Sequence, residues 1–144
     1  GNITAMLTSV LVGSVVGIVS VILIARALGA DPKIISSLEP KSITTAIAVT
    51  VCQHSGGIPA LTAVVVIVVG IFGAVVGPVI LKILRIESKL AKGLALGSAA
   101  HAVGTARAME LGAVEGAISG LAIGLMGVIT AIMVPVIEVI MKYL

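Results

Sequence analysis

The chain has 144 residues, a formal net charge of +3 and a hydrophobic content of 59%, and its mean hydropathy is +1.31. This composition excludes an ordinary soluble domain and indicates an integral membrane protein. The positive charge comes from loop lysines and arginines, and since no basic run is interleaved with aromatic residues, we expect no nucleic-acid partner. The single cysteine, Cys52, excludes an internal disulfide and a cysteine-based metal cage.

Three apolar segments are long enough to cross a bilayer as helices, which takes about 20 residues each. They cover residues 3–25, 59–81 and 113–135, and the third continues to Leu144. Asp31 and Pro32 begin a polar connection after the first segment, and the positive-inside rule places the basic loop 82–92 in the cytoplasm. Glycines four residues apart, which favour close helix packing, are Gly13 and Gly17, Gly73 and Gly77, and Gly116, Gly120 and Gly124.

Two further apolar segments are too short to cross alone. Residues 42–54 cover about 20 Å of a hydrocarbon core that is about 30 Å thick, and residues 90–102 are equally short. Ser42 is the expected N-cap of the first segment, which ends where Gly56, Gly57 and Pro59 oppose helix continuation. Broken backbone at membrane depth survives only inside protein or beside a watery cavity. These breaks therefore indicate a polar site, unless the first is a surface loop.

The two halves of the chain repeat one order of features: short helix, histidine, glycine break, glycine-rich span and proline. We therefore predict an all-α membrane protein with a single transmembrane domain, residues 1–144, that contains two short interrupted or re-entrant helices. The repeat units lie at about 42–81 and 90–144, and two re-entrant helices would make the second unit inverted, as in secondary transporters. If the short helices instead complete a crossing, the units are parallel. Because Gly1 is not a methionine, we expect the C-terminal part of a longer protein.

The candidate site lies in residues 93–112, where ionisable side chains follow a small-residue helix. Such groups are expensive inside a membrane and are usually functional. Arg107 is the candidate for holding a substrate carboxylate through two parallel hydrogen bonds, and the alternative is an ion pair with Glu110. His101 is the candidate proton relay, and the alternative is a neutral histidine bonded to a carbonyl.

Neutral hydrogen-bond donors complete the predicted substrate site. They suit a small oxyacid at half-helix ends, although each can instead bond one helix to another. We expect no enzyme, no metal and no cofactor, because neither His54 nor His101 has a carboxylate at metal-ligand spacing and there is no Walker-type phosphate loop. The donors are the hydroxyls of Thr44, Thr45, Ser98 and Thr105 and the amides of Gly56, Gly57 and Gly104.

Three blocks of the sequence resemble a known membrane family. They read Glu-Pro-Lys-Ser-Ile-Thr-Thr at 39–45, Gly-Gly-Ile-Pro-Ala-Leu-Thr at 56–62 and Gly-Leu-Ala-Leu-Gly-Ser-Ala-Ala-His-Ala-Val-Gly-Thr-Ala-Arg at 93–107. These blocks resemble the LrgB/CidB/YohK family, which is related to the plastidal glycolate/glycerate translocators. Ala46 departs from the family pattern, which commonly has a proline there, and Gln53 and His54 are also unexpected.

The resemblance implies two alternative functions. The first is a transporter of small monocarboxylates of the pyruvate, glycolate or glycerate class, coupled to protons if His101 titrates. The second is an antiholin-like or holin-like protein that regulates murein hydrolase activity and cell lysis. The resemblance also implies a multi-pass protein of the cell (inner) membrane with a small LrgA/CidA-type membrane partner, and the glycine faces favour a homo-oligomer. We favour the transporter, because a passive assembly needs no histidine, arginine and hydroxyls at two helix breaks.

Overall fold

The computed structural model describes residues 2–142, and every regular element in that range is an α-helix. This confirms the predicted all-α fold; the predicted ends of the domain, Gly1 and Leu144, lie outside the described residues. The helices in chain order are α1 Asn2–Ala27, α2 Pro32–Leu38, α3 Thr45–His54, α4 Pro59–Ile83, α5 Lys89–Leu111 and α6 Ala113–Lys142.

Three of these helices are long and apolar enough to cross a membrane. The candidate spans are Ile3–Ala27, Pro59–Ile83 and Ala113–Ile140, and they contain the predicted segments 3–25, 59–81 and 113–135 respectively. Their outward faces carry large exposed apolar side chains such as Phe72 and Val75. Apolar faces of this kind match the acyl chains of a bilayer, so the chain is a membrane protein with three candidate spans among its described residues.

Helix α2 was not predicted, and it lies within the segment that the sequence predicts as a polar connection. The Asp31 carboxylate caps the helix, accepting hydrogen bonds from the Lys33 amide at 2.8 Å and the Ile34 amide at 3.1 Å. Pro32 then occupies the first helical turn, where it has no amide hydrogen to leave unsatisfied. The aspartate–proline pair therefore starts a helix here.

The first predicted break is confirmed, because α3 ends at His54 and α4 begins at Pro59. The predicted N-cap of α3 is wrong, however: Thr44 takes that position instead of Ser42, and its hydroxyl makes no capping hydrogen bond. Ser42 and Ile43 lie in the turns that join α2 to α3, where the Ile43 amide donates to the Pro40 carbonyl oxygen at 3.4 Å. The α2–α3 connection thus covers residues 39–44.

The α2–α3 connection enters the protein and returns. Ile35 before it and Val51 after it share one hydrophobic cluster with Ile22. Ile43, at its middle, belongs to a different cluster, where it packs with Val10 of α1. Since Val10 and Ile22 are about 18 Å apart along α1, the connection passes deep between the long helices before α3 turns back.

Helices α1 and α6 run side by side in the same direction. Val10 packs with Met126 in one cluster, and further along both helices Ile22 packs with Val134 in the other. Between these clusters the hydroxyls of Ser14 and Thr130 form a buried hydrogen bond of 2.9 Å. The parallel pair α1–α6 therefore forms the wall against which the α2–α3 connection lies.

Helix α5 is two helices joined at a sharp bend. Ala100 (φ −130°, ψ 17°) and His101 (φ 41°, ψ −130°) are not helical. A Cβ on Gly104 would collide with the carbonyl oxygen of Leu96, whereas the same two residues would be about 12 Å apart in a straight helix. The second half of α5 therefore folds back on the first. The predicted break after residue 102 is observed one to two residues earlier.

Both halves of α5 contact the start of α6. A Cβ on Gly97 would lie 2.8 Å from the Ser119 hydroxyl, and on the returning half the Thr105 hydroxyl is 2.6 Å from the same oxygen. Nearer the start of α6, a Cβ on Gly116 would lie 2.7 Å from the Met109 side chain. The single residue Gly112 then separates α5 from α6.

The glycine faces predicted from the four-residue spacing are used unequally. Gly73 faces the Ala100 methyl and Gly77 faces Leu96, so this pair lets α4 and α5 approach closely, as predicted. By contrast, a Cβ on Gly120 or Gly124 would meet no described atom within 4 Å. The face of α6 that carries these two glycines is therefore open within the described part of the chain.

Candidate functional site

The α2–α3 connection carries the most deeply placed charges in the described part of the chain outside the long helices. Glu39 is only 4% exposed, and Lys41 is half-buried. Pro40 between them is fully buried and cannot donate a backbone hydrogen bond, so α2 ends here. Because buried Ile43 anchors the connection in the core, Glu39 is held against α1 and α6 and Lys41 against α1.

The Glu39 carboxyl lies between two cavities. One is a cleft of about 390 Å³, and the other is a narrow void of about 10 Å³, which has room for about one water molecule. The Oε2 atom of Glu39 has no hydrogen-bond partner among the described residues. The cleft is lined by Ile22, Arg26, Pro32, Ile35, Ser36, Glu39, Ser55 and Glu138, and the void by Gly13, Ser14, Gly17, Ile18, Glu39, Ser42, Met126 and Thr130.

Electrostatics at Glu39 favour its protonated form. Burial is the main cause that raises the pKa of Glu39, and the neighbouring Glu138 carboxylate raises it further, while the cationic Arg26 opposes both. Glu138 itself accepts a hydrogen bond of 3.3 Å from the Ser36 hydroxyl. The cleft therefore brings two carboxyl groups and one guanidinium to the same place.

The Lys41 ammonium contacts α1. Its Nζ atom donates a hydrogen bond of 2.9 Å to the carbonyl oxygen of Gly17. Burial lowers the pKa of the Lys41 amine, since a desolvated ammonium is less favourable than the neutral form. Lys41 thus places a cationic group beside Ser42, just before the first turn of α3.

The residues predicted around the first break lie at opposite ends of α3. Thr44 and Thr45 are at its start, about 15 Å from Gly56 and Gly57 at its end. The amides of these two glycines are not free, because they donate to the carbonyl oxygens of Gln53 and Cys52 within the turn. Gly56 has φ +73°, the left-handed conformation that glycine adopts easily.

The polar residues predicted around the second break are already bonded to neighbouring helices. The buried His101 ring has its Nε2 atom 2.8 Å from the carbonyl oxygen of Val66 on α4, the contact named by the alternative interpretation of this histidine. Thr105 bonds Ser119. Gly104 allows the two halves of α5 to touch, and atoms of the bend itself fill the space around this glycine.

Two predicted residues of this stretch face away from the bend. Arg107 forms an exposed ion pair with Glu110, the alternative partner predicted from their spacing. Ser98 is half-buried and lines a separate groove between α1 and α5 with Ser9 and Leu94. The structure therefore distributes the nine predicted residues over at least four places.

Sequence reasoning missed the polar residues that meet between α1, the α2–α3 connection and α6. Their sequence signal is weak but present: a glutamate and a lysine flank a proline, and a glutamate interrupts the last apolar span, in a chain with 10% charged residues. The missed residues are Ser14, Glu39, Lys41, Thr130 and Glu138.

Comparison with known proteins gives a consistent result. The family model described as the LrgB-like family matches residues 1–140. Proteins named "Antiholin-like protein LrgB" match over 130 residues, 90% of this chain, at 39% identity in Bacillus mycoides (strain KBAB4) and 38% in Bacillus cereus (strain B4264) and Bacillus anthracis (strain CDC 684 / NRRL 3495). The aligned part is 56% of each relative, so the chain spans little more than half of their length. No solved structure matches the chain.

Proposed function

The chain belongs to the LrgB-like family, and we propose that it acts as an antiholin-like protein of the cell (inner) membrane that restrains murein hydrolase activity and lysis. The observation that carries the proposal is the name shared by its curated relatives at 38–39% identity. Of the two functions implied by the sequence resemblance, that name favours the regulatory one over the transporter.

The open face of α6 supports an assembling protein. Gly120 and Gly124 face no described atom within 4 Å, and Leu121 and Val128 beside them are exposed. Small residues let a second helix approach closely in a bilayer, where packing drives association. We propose that this face contacts either a second copy of the chain or a small LrgA/CidA-type membrane protein.

A lysis assay tests the regulatory function. The protein is expressed in a bacterium that lacks its own LrgB-type gene, and autolysis and murein hydrolase activity are followed with time. We expect slower lysis with the wild-type protein and loss of that effect with Gly120→Leu, which fills the open face. Ile132→Leu, at another exposed position of α6, is the control and should act as wild type. Lysis that is unchanged by the wild-type protein would contradict the proposal.

A carrier of small monocarboxylates is the second candidate, and one observation favours it. Lys41 holds a half-buried ammonium near the start of α3, where the Thr44 hydroxyl is not used for capping and Thr45 is exposed. A helix start with a cation and hydroxyls suits a small carboxylate. A purely structural assembly gives no reason to keep such a group inside the membrane domain.

An inverted arrangement of two re-entrant elements would fit such a carrier, and we propose it here. Two contact patterns support it: the α2–α3 connection dips from the level of Ile35 to that of Ile43 and returns, and α5 reverses at His101. The spans that follow, α4 and α6, run in opposite directions. Helix α4 is antiparallel to the first half of α5, whereas α6 is parallel to that half. Interrupted helices of this kind meet at the substrate site in many secondary transporters.

Uptake by proteoliposomes tests the carrier. Labelled pyruvate, glycolate and glycerate are offered with and without a pH gradient. If Lys41, Thr44 and Thr45 hold the carboxylate, Lys41→Met abolishes uptake whereas Arg107→Lys leaves it unchanged. The reverse pattern would assign the substrate carboxylate to Arg107. A loss of dependence on the pH gradient in His101→Gln would identify His101 as the proton relay. No uptake of any of the three acids would contradict the carrier.

A further inference from the structure

Two carboxyl groups meet at the cleft between α1, α2 and α6. Glu39 contributes from the α2–α3 connection and Glu138 from α6. Glu39 is 4% exposed, and its Oε2 atom lacks a partner among the described residues. A buried acceptor without a donor is unfavourable by about 1–3 kcal/mol, and more when it is charged. The site therefore lacks a hydrogen-bond donor for the Oε2 atom of Glu39.

We propose that this cleft is a proton-binding site in which Glu39 and Glu138 share one proton. Ionised carboxylates only accept hydrogen bonds, so two of them side by side repel. When a proton binds to one, its O–H group donates to the other, and the repulsion becomes a hydrogen bond. The reaction is simply carboxylate plus proton giving carboxylic acid.

The other charged groups near the pair do not remove the need for this proton. Arg26 on α1 lines the same cleft and lowers the pKa of Glu39, but burial and Glu138 together outweigh it. Lys41, on the same connection, donates to the Gly17 carbonyl oxygen of α1. From α2 the Ser36 hydroxyl donates to Glu138, and the end of α3 contributes the neutral Ser55.

The narrow void on the other side of Glu39 offers a continuation for the proton. It is lined by the hydroxyls of Ser14, Ser42 and Thr130, and Ser14 and Thr130 are already hydrogen-bonded to each other. Hydroxyl groups both donate and accept, and one water fits the void. Glu39 thus separates the cleft from a chain of hydroxyls between α1 and α6. This site does not depend on which of the proposed functions holds.

Infrared difference spectroscopy of the purified protein in lipid vesicles tests the site. As the pH falls, a carbonyl band of a protonated carboxyl group should appear at a pH above the ordinary range of glutamate. Glu39→Gln should abolish this band. Glu138→Gln should keep it but move its midpoint down by about one pH unit, because the like charge is removed. Glu115→Gln is the matched control, since Glu115 is equally buried at 4% but lies at the opposite end of α6 against Gly112.

Glutamine has the shape of a protonated glutamate, so both variants should fold, which circular dichroism checks. A band that persists in Glu39→Gln, or a midpoint unaffected by Glu138→Gln, would overturn the proposal. So would a band that sodium removes at constant pH, because the pair would then bind a metal cation. Neither the lysis assay nor the uptake assay enters this measurement, so its failure would leave the proposed functions untouched.

Discussion

Two interruptions between the long helices, the α5 bend and the α2–α3 connection, hold their polar groups differently. At the α5 bend, His101 is bonded to the Val66 carbonyl oxygen and Thr105 to Ser119. In the α2–α3 connection, buried Glu39 keeps an oxygen without a partner in the described chain, beside two cavities. The polar groups of the α5 bend are satisfied by its own contacts. The α2–α3 connection leaves a polar group available for another binding partner.

This difference shows how to distinguish a structural break from a functional one in a membrane protein. An ionisable residue in an apolar chain suggests function, but a buried polar group with a complete set of partners also stabilises one particular packing. His101 belongs to the second kind by its contacts. Glu39 does not, which is why the α2–α3 connection rather than the α5 bend is the stronger candidate site.

The sharpest test of the closed bend is Gly104→Ala. The added Cβ would collide with the Leu96 carbonyl oxygen and lie 2.6 Å from the Ala100 methyl. Because both belong to the bend itself, relief requires backbone movement, and we expect a loss of about 3 kcal/mol in stability. Thermal unfolding in detergent micelles measures it.

Gly120→Ala is the matched control for this prediction. Both glycines lie in helices, but the Cβ at position 120 meets no described atom within 4 Å. Alanine should there leave the protein as stable as wild type or raise its stability by about 0.5–1 kcal/mol, because glycine is a poor helix former. Equal effects at the two positions would mean that the two halves of α5 are not in contact.

Much of the fold could be predicted because it depends on local patterns. The length of an apolar run decides whether a helix can cross a bilayer, and the three spans agree with the structure on that basis. Gly57 and Pro59 likewise mark a break that local chemistry imposes. Helix α2 escaped prediction because Asp31 and Pro32 occur in turns as well as at helix starts, and seven residues give too short a pattern to separate the two.

The site could not be predicted in the same way, because it depends on contacts between distant residues. Arg107 and Glu110 are three residues apart, so their ion pair followed from helical spacing alone. Glu39 meets Glu138 only because the α2–α3 connection folds between α1 and α6. In the sequence, Glu39 and Lys41 resemble ordinary residues of a polar connection, and their weak local signal, a glutamate and a lysine that flank a proline, does not indicate burial.

The pH dependence of stability tests the α2–α3 connection through Glu39. Burial and Glu138 raise the pKa of Glu39 in the folded protein. A raised folded pKa gives stability that is complete below the ordinary glutamate pKa of about 4.3 and is lost as pH rises through the higher value. Each unit of the shift corresponds to about 1.4 kcal/mol. We therefore expect the unfolding temperature to fall between mildly acidic and mildly alkaline pH.

Glu39→Gln should flatten this pH profile, because glutamine does not titrate. Glu110→Gln is the control: Glu110 is exposed beside Arg107, so its variant should keep the slope of the wild-type protein. A profile as steep in Glu39→Gln as in wild type would assign the pH dependence to another group and would remove the main difference between the two interruptions.

The smallest effect is expected at Arg107, on the returning half of α5. Its side chain is 43% exposed and that of its partner Glu110 is 63% exposed, and exposed ion pairs contribute about 0–1 kcal/mol. Arg107→Ala should therefore change the unfolding free energy by about 0.5 kcal/mol or less, and a double-mutant cycle with Glu110→Ala measures the coupling directly. A coupling well above 1 kcal/mol would show that this pair is shielded from water in the membrane. The outer face of the α5 bend would then hold a desolvated charge pair, and the contrast with the α2–α3 connection would rest on Glu39 alone.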